Sequence, residues 1–185
     1  MNNGTLFRDY LASIGILPGI KVDKGAKDLS CHPNEKITEG LDGLRDRLAA
    51  YYENGAKFCK WRAVITIAND IPSDACIESN MNALARYASL CQENNLVPIV
   101  EPEVLINGTH NIDECDKVTR KSLSSLFSHL KMFNVYLPGT VLKPSMVISG
   151  QENDSRASYD EVASKTISCL KDFVPIDTAG IASVS

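Results

Sequence analysis

Charged residues recur beside short apolar runs at nearly constant intervals along this chain. Lys21, Lys60 with Arg62, Glu101 with Glu103, and Lys143 are spaced 39, 41 and 42 positions apart. That interval is about one strand, one helix and their two connections. A chain with this spacing presents one charged group per strand–helix unit. In α/β architectures, active sites are assembled from several strand ends in this way.

The segments between the charges agree with that reading. Ile14 to Val22 reads as a strand interrupted at Pro18-Gly19, followed by a polar loop from Asp23 to Thr38. Leu41, Leu44, Leu48 and Tyr51 fall on one face of a helix that stops at Asn54-Gly55. Phe58 to Ile67 is a second strand. Ser73 can cap a helix whose buried stripe is Ile77, Met81, Leu84, Ala88 and Cys91. Leu96 to Val100 is a third strand and Tyr136 to Lys143 a fourth, separated by a helix opening near Asn111 to Asp113. Ser158 and Glu161 have capping-box spacing before Val162, Thr166, Ile167 and Leu170, and Gly180 to Val184 opens a fifth strand. Strands apolar on both faces and alternating with helices imply a parallel sheet covered by helices, in one domain spanning residues 1–185.

Composition narrows the function classes. The chain has 185 residues, 44% of them apolar, enough for a sizeable core, and its net charge is −4 with no basic run. Nucleic-acid partners and anionic membrane surfaces are therefore not expected. No apolar stretch has membrane-span length, and the start MNNGTLFRDY lacks the basic and apolar regions of a signal peptide, so a cytoplasmic location is expected. The six cysteines form no CxxC pair and read as reduced. The histidines His32, His110 and His129 form no metal-binding pair, so no metal site is expected. No glycine-rich GxGxxG or GxxxxGK[ST] turn follows a strand, which removes the usual nucleotide-binding reading.

In a strand, residues i and i+2 share a face, so Lys60 and Arg62 project together, as do Glu101 and Glu103. With Lys21 and Lys143 they would make a group of cations facing two carboxylates. Burying such a group is costly unless the charges are paired, so it is either a salt-bridge network or a site for an anionic substrate. Taken singly, Lys143 at a strand end is ordinarily a solvated charge on an apolar stem, and Glu101 and Glu103 could be loop carboxylates. The strand-embedded pair Lys60 and Arg62 is harder to read as surface. Arg45-Asp46-Arg47 and Thr119-Arg120-Lys121 fit solvated helix faces.

Six segments carry a resemblance: GIKVDKG (Gly19 to Gly25), GLDGL (Gly40 to Leu44), GAKFCKWR (Gly55 to Arg62), NALARYASLCQ (Asn82 to Gln92), VPIVEPE (Val97 to Glu103) and LKPSMV (Leu142 to Val147). In order and separation they resemble class I fructose-bisphosphate aldolase. The resemblance implies a (β/α)8 TIM-type barrel present in part, about strands three to seven with their helices. It implies cleavage of fructose 1,6-bisphosphate to triose phosphates through a lysine Schiff base, in glycolysis, with no cofactor and no metal. Carried over by position, Lys143 is the Schiff-base lysine, Glu101 the acid/base and Lys60 the cation between them. Lys21, Arg62, Glu103 and Ser185 fall at substrate-binding positions. Homo-oligomers, tetramers in the family, are implied as well.

The chain also departs from the family pattern. Pro138 stands where glutamate is usual, Ser145 where asparagine is usual, and Ala182-Ser183-Val184 replaces a bulkier segment. Eight strand–helix units need roughly 250 residues, so the expectation is an incomplete barrel, weakly active or inactive alone. The alternative is a non-catalytic sugar-phosphate-binding or interaction module derived from an aldolase. Transaldolase and deoxyribose-phosphate aldolase share the lysine chemistry but not VPIVEPE combined with KWR.

Overall fold

The computed structural model describes residues 4–183. In chain order the elements are α1 (Phe7–Ser13), β1 (Gly19–Lys21), β2 (Ala26–Asp28), β3 (Lys36–Thr38), α2 (Leu44–Glu53), β4 (Phe58–Ile65), α3 (Asp74–Glu93), β5 (Val97–Val104), α4 (Ile112–Met132), a 3-10 turn at Leu137–Gly139, β6 (Val141–Leu142), α5 (Tyr159–Phe173) and β7 (Gly180–Ile181). The strands β1, β4, β5, β6 and β7 form one all-parallel sheet in that order, and β2 and β3 form a separate antiparallel hairpin. Among the described residues the sheet is open, with β1 and β7 at its edges.

Alternation within the strands divides the sheet into two faces. Cys59, Trp61, Ala63 and Ile65 of β4 are buried beneath α3, where Trp61 meets Tyr87 with ring centroids 5.5 Å apart. Lys60 and Arg62 project from the opposite, open face. Helix α3 starts where Ser73 accepts a hydrogen bond from the Cys76 amide, and α4 carries a complete capping box between Asn111 and Glu114. At α5 the Ser158 side chain accepts from the Glu161 amide. Ile77, Met81 and Leu84 of α3 pack with Leu123, Leu126 and Leu130 of α4 in the main core.

Several local expectations are corrected. The segment read as a polar loop, Asp23 to Thr38, contains the β2–β3 hairpin. Buried Asn80 of α3 holds it by donating to Lys36 O at 2.8 Å and accepting from the Thr38 amide at 3.2 Å. The strand expected from Ile14 is only Gly19–Lys21, because Ile14 caps the short helix α1. The strand expected to end at Val100 continues to Val104, so Glu101 and Glu103 are strand residues rather than loop carboxylates.

The strand expected over Tyr136 to Lys143 shrinks to Val141–Leu142, and β5 supplies the reason. Val97 and Leu105 donate to Lys57 O and Ile65 O on the β4 side. By alternation the even positions of β5 face β6, and two of these, Pro98 and Pro102, have no amide hydrogen to give. Pairing with β6 is left to Ile99 and Val100. On the helices, Arg47 is not simply solvated: it donates to Val22 O at 2.9 Å and also to Gly40 O. Thr119 is buried, and Arg120 bridges Asp116 and Asp172 across α4 and α5.

Candidate active site

The carboxyl ends of β1 and β6 lie beside the middle of β4 and β5, because the parallel register pairs Lys21 with Lys60, Arg62 with Glu101 and Leu142 with Val100. Lys143 follows β6 directly and donates its backbone amide to Val100 O at 2.8 Å, which sets it beside Glu101. Neighbouring strands are about 4.8 Å apart, within reach of long side chains. Charges some forty residues apart in sequence therefore converge.

At the centre is Glu101, only 3% exposed. Its Oε2 accepts from Lys60 Nζ at 2.7 Å and its Oε1 accepts from Lys143 Nζ. One buried carboxylate thus bridges two ammonium groups whose side chains remain about a quarter exposed, at 24% and 29%. The burial cost of Glu101 is offset by two charge-assisted bonds, and removing it would leave two cations facing each other. Chemically, the carboxylate lies within proton-transfer distance of two amines that open to the free face of the sheet.

The other sequence candidates fall into two adjacent groups. Arg62 Nη1 pairs with Glu103 Oε2 at 3.0 Å along the same two strands. Lys21 pairs with Asp23, whose other carboxylate oxygen accepts from the Arg62 amide at 3.3 Å. Asp23 was not among the candidates, although it lies inside GIKVDKG. Its i+2 relation to Lys21 was the available signal. Ser185 lies outside the described residues.

These groups occupy an open surface rather than an enclosed cavity. A cavity of about 760 Å³ lies elsewhere, lined by residues including Thr38, Leu41, Asn82, Arg86 and His129. The charge geometry, not cavity size, picks out the site. Among the described residues, no group of three or more His, Cys, Asp or Glu side chains is arranged to hold a metal ion. No helix among them is long and apolar enough to cross a membrane.

Parallel strands backed by helices, with lysines and carboxylates gathered on one face across neighbouring strands, define part of a (β/α)-barrel with a lysine–carboxylate site. The family model described as fructose-bisphosphate aldolase class-I matches residues 1–185. A probable fructose-bisphosphate aldolase class 1 of Xanthomonas axonopodis pv. citri is 56% identical over 183 residues, covering 99% of this chain and 55% of that protein. The cytosolic fructose-bisphosphate aldolase 4 of Arabidopsis thaliana is 46% identical over 183 residues, 99% of this chain and 47% of its own length. The structure of a Plasmodium falciparum fructose-bisphosphate aldolase, solved with TRAP and a small-molecule inhibitor, superposes with a TM-score of 0.95 at 43% identity, covering 98% of this chain and 53% of that one. The chain belongs to the class I fructose-bisphosphate aldolase family, and it spans about half the length of the curated relatives it matches.

Proposed function

We propose that this chain carries the lysine machinery of a fructose-bisphosphate aldolase, acting on fructose 1,6-bisphosphate and triose phosphates in glycolysis. The observation that carries the reading is the Lys60–Glu101–Lys143 bridge, because imine chemistry needs a nucleophilic amine and a carboxyl group within proton-transfer distance of each other. In this reading Lys143 attacks the substrate ketone as the free amine, Glu101 accepts and returns the protons of carbinolamine formation and dehydration, and Lys60 balances the developing oxyanion. The protonated imine then takes up the electron pair released when the carbon–carbon bond breaks. Lys21 and Arg62 are read as phosphate-binding cations, Glu103 as the carboxylate holding Arg62, and Ser185 as a further ketose-phosphate contact.

A cytosolic place of action is supported by the plant relatives whose names say cytosolic. Assembly into homo-oligomers is the family-based reading, and sedimentation of the purified chain checks it. Release of triose phosphate from fructose 1,6-bisphosphate, measured for the wild type and Lys143→Met, tests the catalytic role. Turnover abolished by the substitution supports it. Saturable sugar-phosphate binding with no turnover in the wild type favours the non-catalytic binding module instead.

A further inference from the structure

Two ion-pair carboxylates among the described residues have side chains less than 5% exposed: Glu101, and Asp23 at 2%. Asp23 follows the carboxyl end of β1, and Glu101 lies within β5. The carboxylates of other lysine pairs are largely exposed, at 87% for Asp28 with Lys36 and 83% for Asp74 with Lys121. Exposed pairs of that kind order little. Asp23 is built differently, because its oxygens accept from two backbone donors, the Gly25 amide at 3.1 Å and the Arg62 amide at 3.3 Å. The turn around it is fixed as well. Lys24 N donates to Glu39 O at 2.8 Å, and a Cβ on Gly40 (φ +131°) would come within 2.9 Å of Lys24 N.

Against this multiply bonded acceptor rests the ammonium of Lys21, whose side chain is half exposed. An ammonium has three protons, and the Asp23 bond uses one, leaving donors that face the open side of the sheet. A free lysine stem carries rotamer entropy that a ligand must otherwise overcome. Locking the turn needs only the two backbone donors. The third bond, to a cation at the site, is not required for that purpose.

We propose that Asp23 is a positioning residue, holding Lys21 in the orientation in which its free donors receive a phosphate ester. This rests on the reading of Lys21 as a phosphate-binding cation. The experiment is titration calorimetry of the full chain with glycerol 3-phosphate at low salt, for the wild type, Lys21→Met, Asp23→Asn and the double variant, each checked by thermal melt. The Kd is expected to rise about tenfold in each single variant, the scale of one charge-assisted hydrogen bond. The double variant is expected to bind no more weakly than Lys21→Met alone, because Asp23 acts through Lys21.

A wild-type Kd in Asp23→Asn, or losses that add in the double variant, overturns the positioning role while leaving the phosphate reading intact. No binding by the wild type, or binding unchanged in Lys21→Met, overturns the phosphate reading and the proposal with it. Should Asp23→Asn lose its cooperative melt, Asp23→Glu decides. It keeps the charge but displaces it by one methylene, and a several-fold weaker Kd is expected, whereas a wild-type Kd overturns the proposal.

Discussion

Glu101 is a strand residue whose acidity serves two lysines at once, and its position rather than its chemistry makes it informative. Glu101→Gln keeps the shape but removes the proton acceptor, so ketone adduct formation at Lys143 is expected to slow by about 10²-fold or more. A stopped, borohydride-reduced time course checks this, and an unchanged rate would contradict the role given to Glu101. A second prediction concerns His110, buried between the loops that follow β5 and β6. Burial holds its imidazole below the usual histidine value, with Glu114 opposing more weakly. The unfolded chain therefore takes up the proton first as pH falls. His110 contributes its full share of stability above about pH 6.5, and that share is lost as pH falls from there through the lower value of the folded state. Melts from pH 5 to 8 should show a flatter slope for His110→Gln than for the wild type, and equal slopes would contradict the assignment.

The two loops that follow β5 and β6 approach closely at Gly150. A Cβ there would lie 2.1 Å from Gly108 O, and Gly150 N donates to His110 O at 2.8 Å while Glu152 N donates to Gly108 O at 3.0 Å. Gly150→Ala must push backbone apart, so a loss of about 1–3 kcal/mol is expected in denaturant unfolding, and a neutral result would contradict this packing. At this scale the sequence was legible where the period was long and unbroken. The stripe of α3 and its Ser73 cap were readable because burial repeats at helical spacing and the cap is local chemistry. The β2–β3 hairpin was not, since only Thr38 of its two three-residue strands is buried and a side chain 42 positions away holds the Thr38 amide. The short β6 was also hidden, because its length is set by prolines in a neighbouring strand. Of the site, Lys60, Arg62, Glu101, Glu103, Lys143 and Lys21 were visible through their spacing. Asp23 falls outside that spacing, and the Arg62 amide that binds it belongs to β4, 39 positions away.

At the scale of the molecule, the helix-backed face and the open face of the sheet behave differently. Five of the six cysteines lie buried, with Cys31 exposed. Burial pushes the thiols of Cys76 and Cys169 up to about 11, which withholds the reactive thiolate. Native alkylation counted by mass spectrometry is expected to modify Cys31 alone, with all six modified after unfolding; rapid native labelling of the others would contradict the packed core. The open face carries Val97, Ile99 and Val141 beside the charged cluster, between the edges formed by β1 and β7. Unpaired edges and apolar surface favour association, so sedimentation of the purified chain is expected to depend on concentration. In the proposed function this face presents Lys143 as an imine-forming nucleophile. Borohydride reduction of the chain with dihydroxyacetone phosphate, followed by peptide mapping, tests it most directly. One adduct is expected, at Lys143, lost in Lys143→Met; a cooperatively folded chain with no adduct, or with adducts spread over surface lysines, would contradict the nucleophile's assignment.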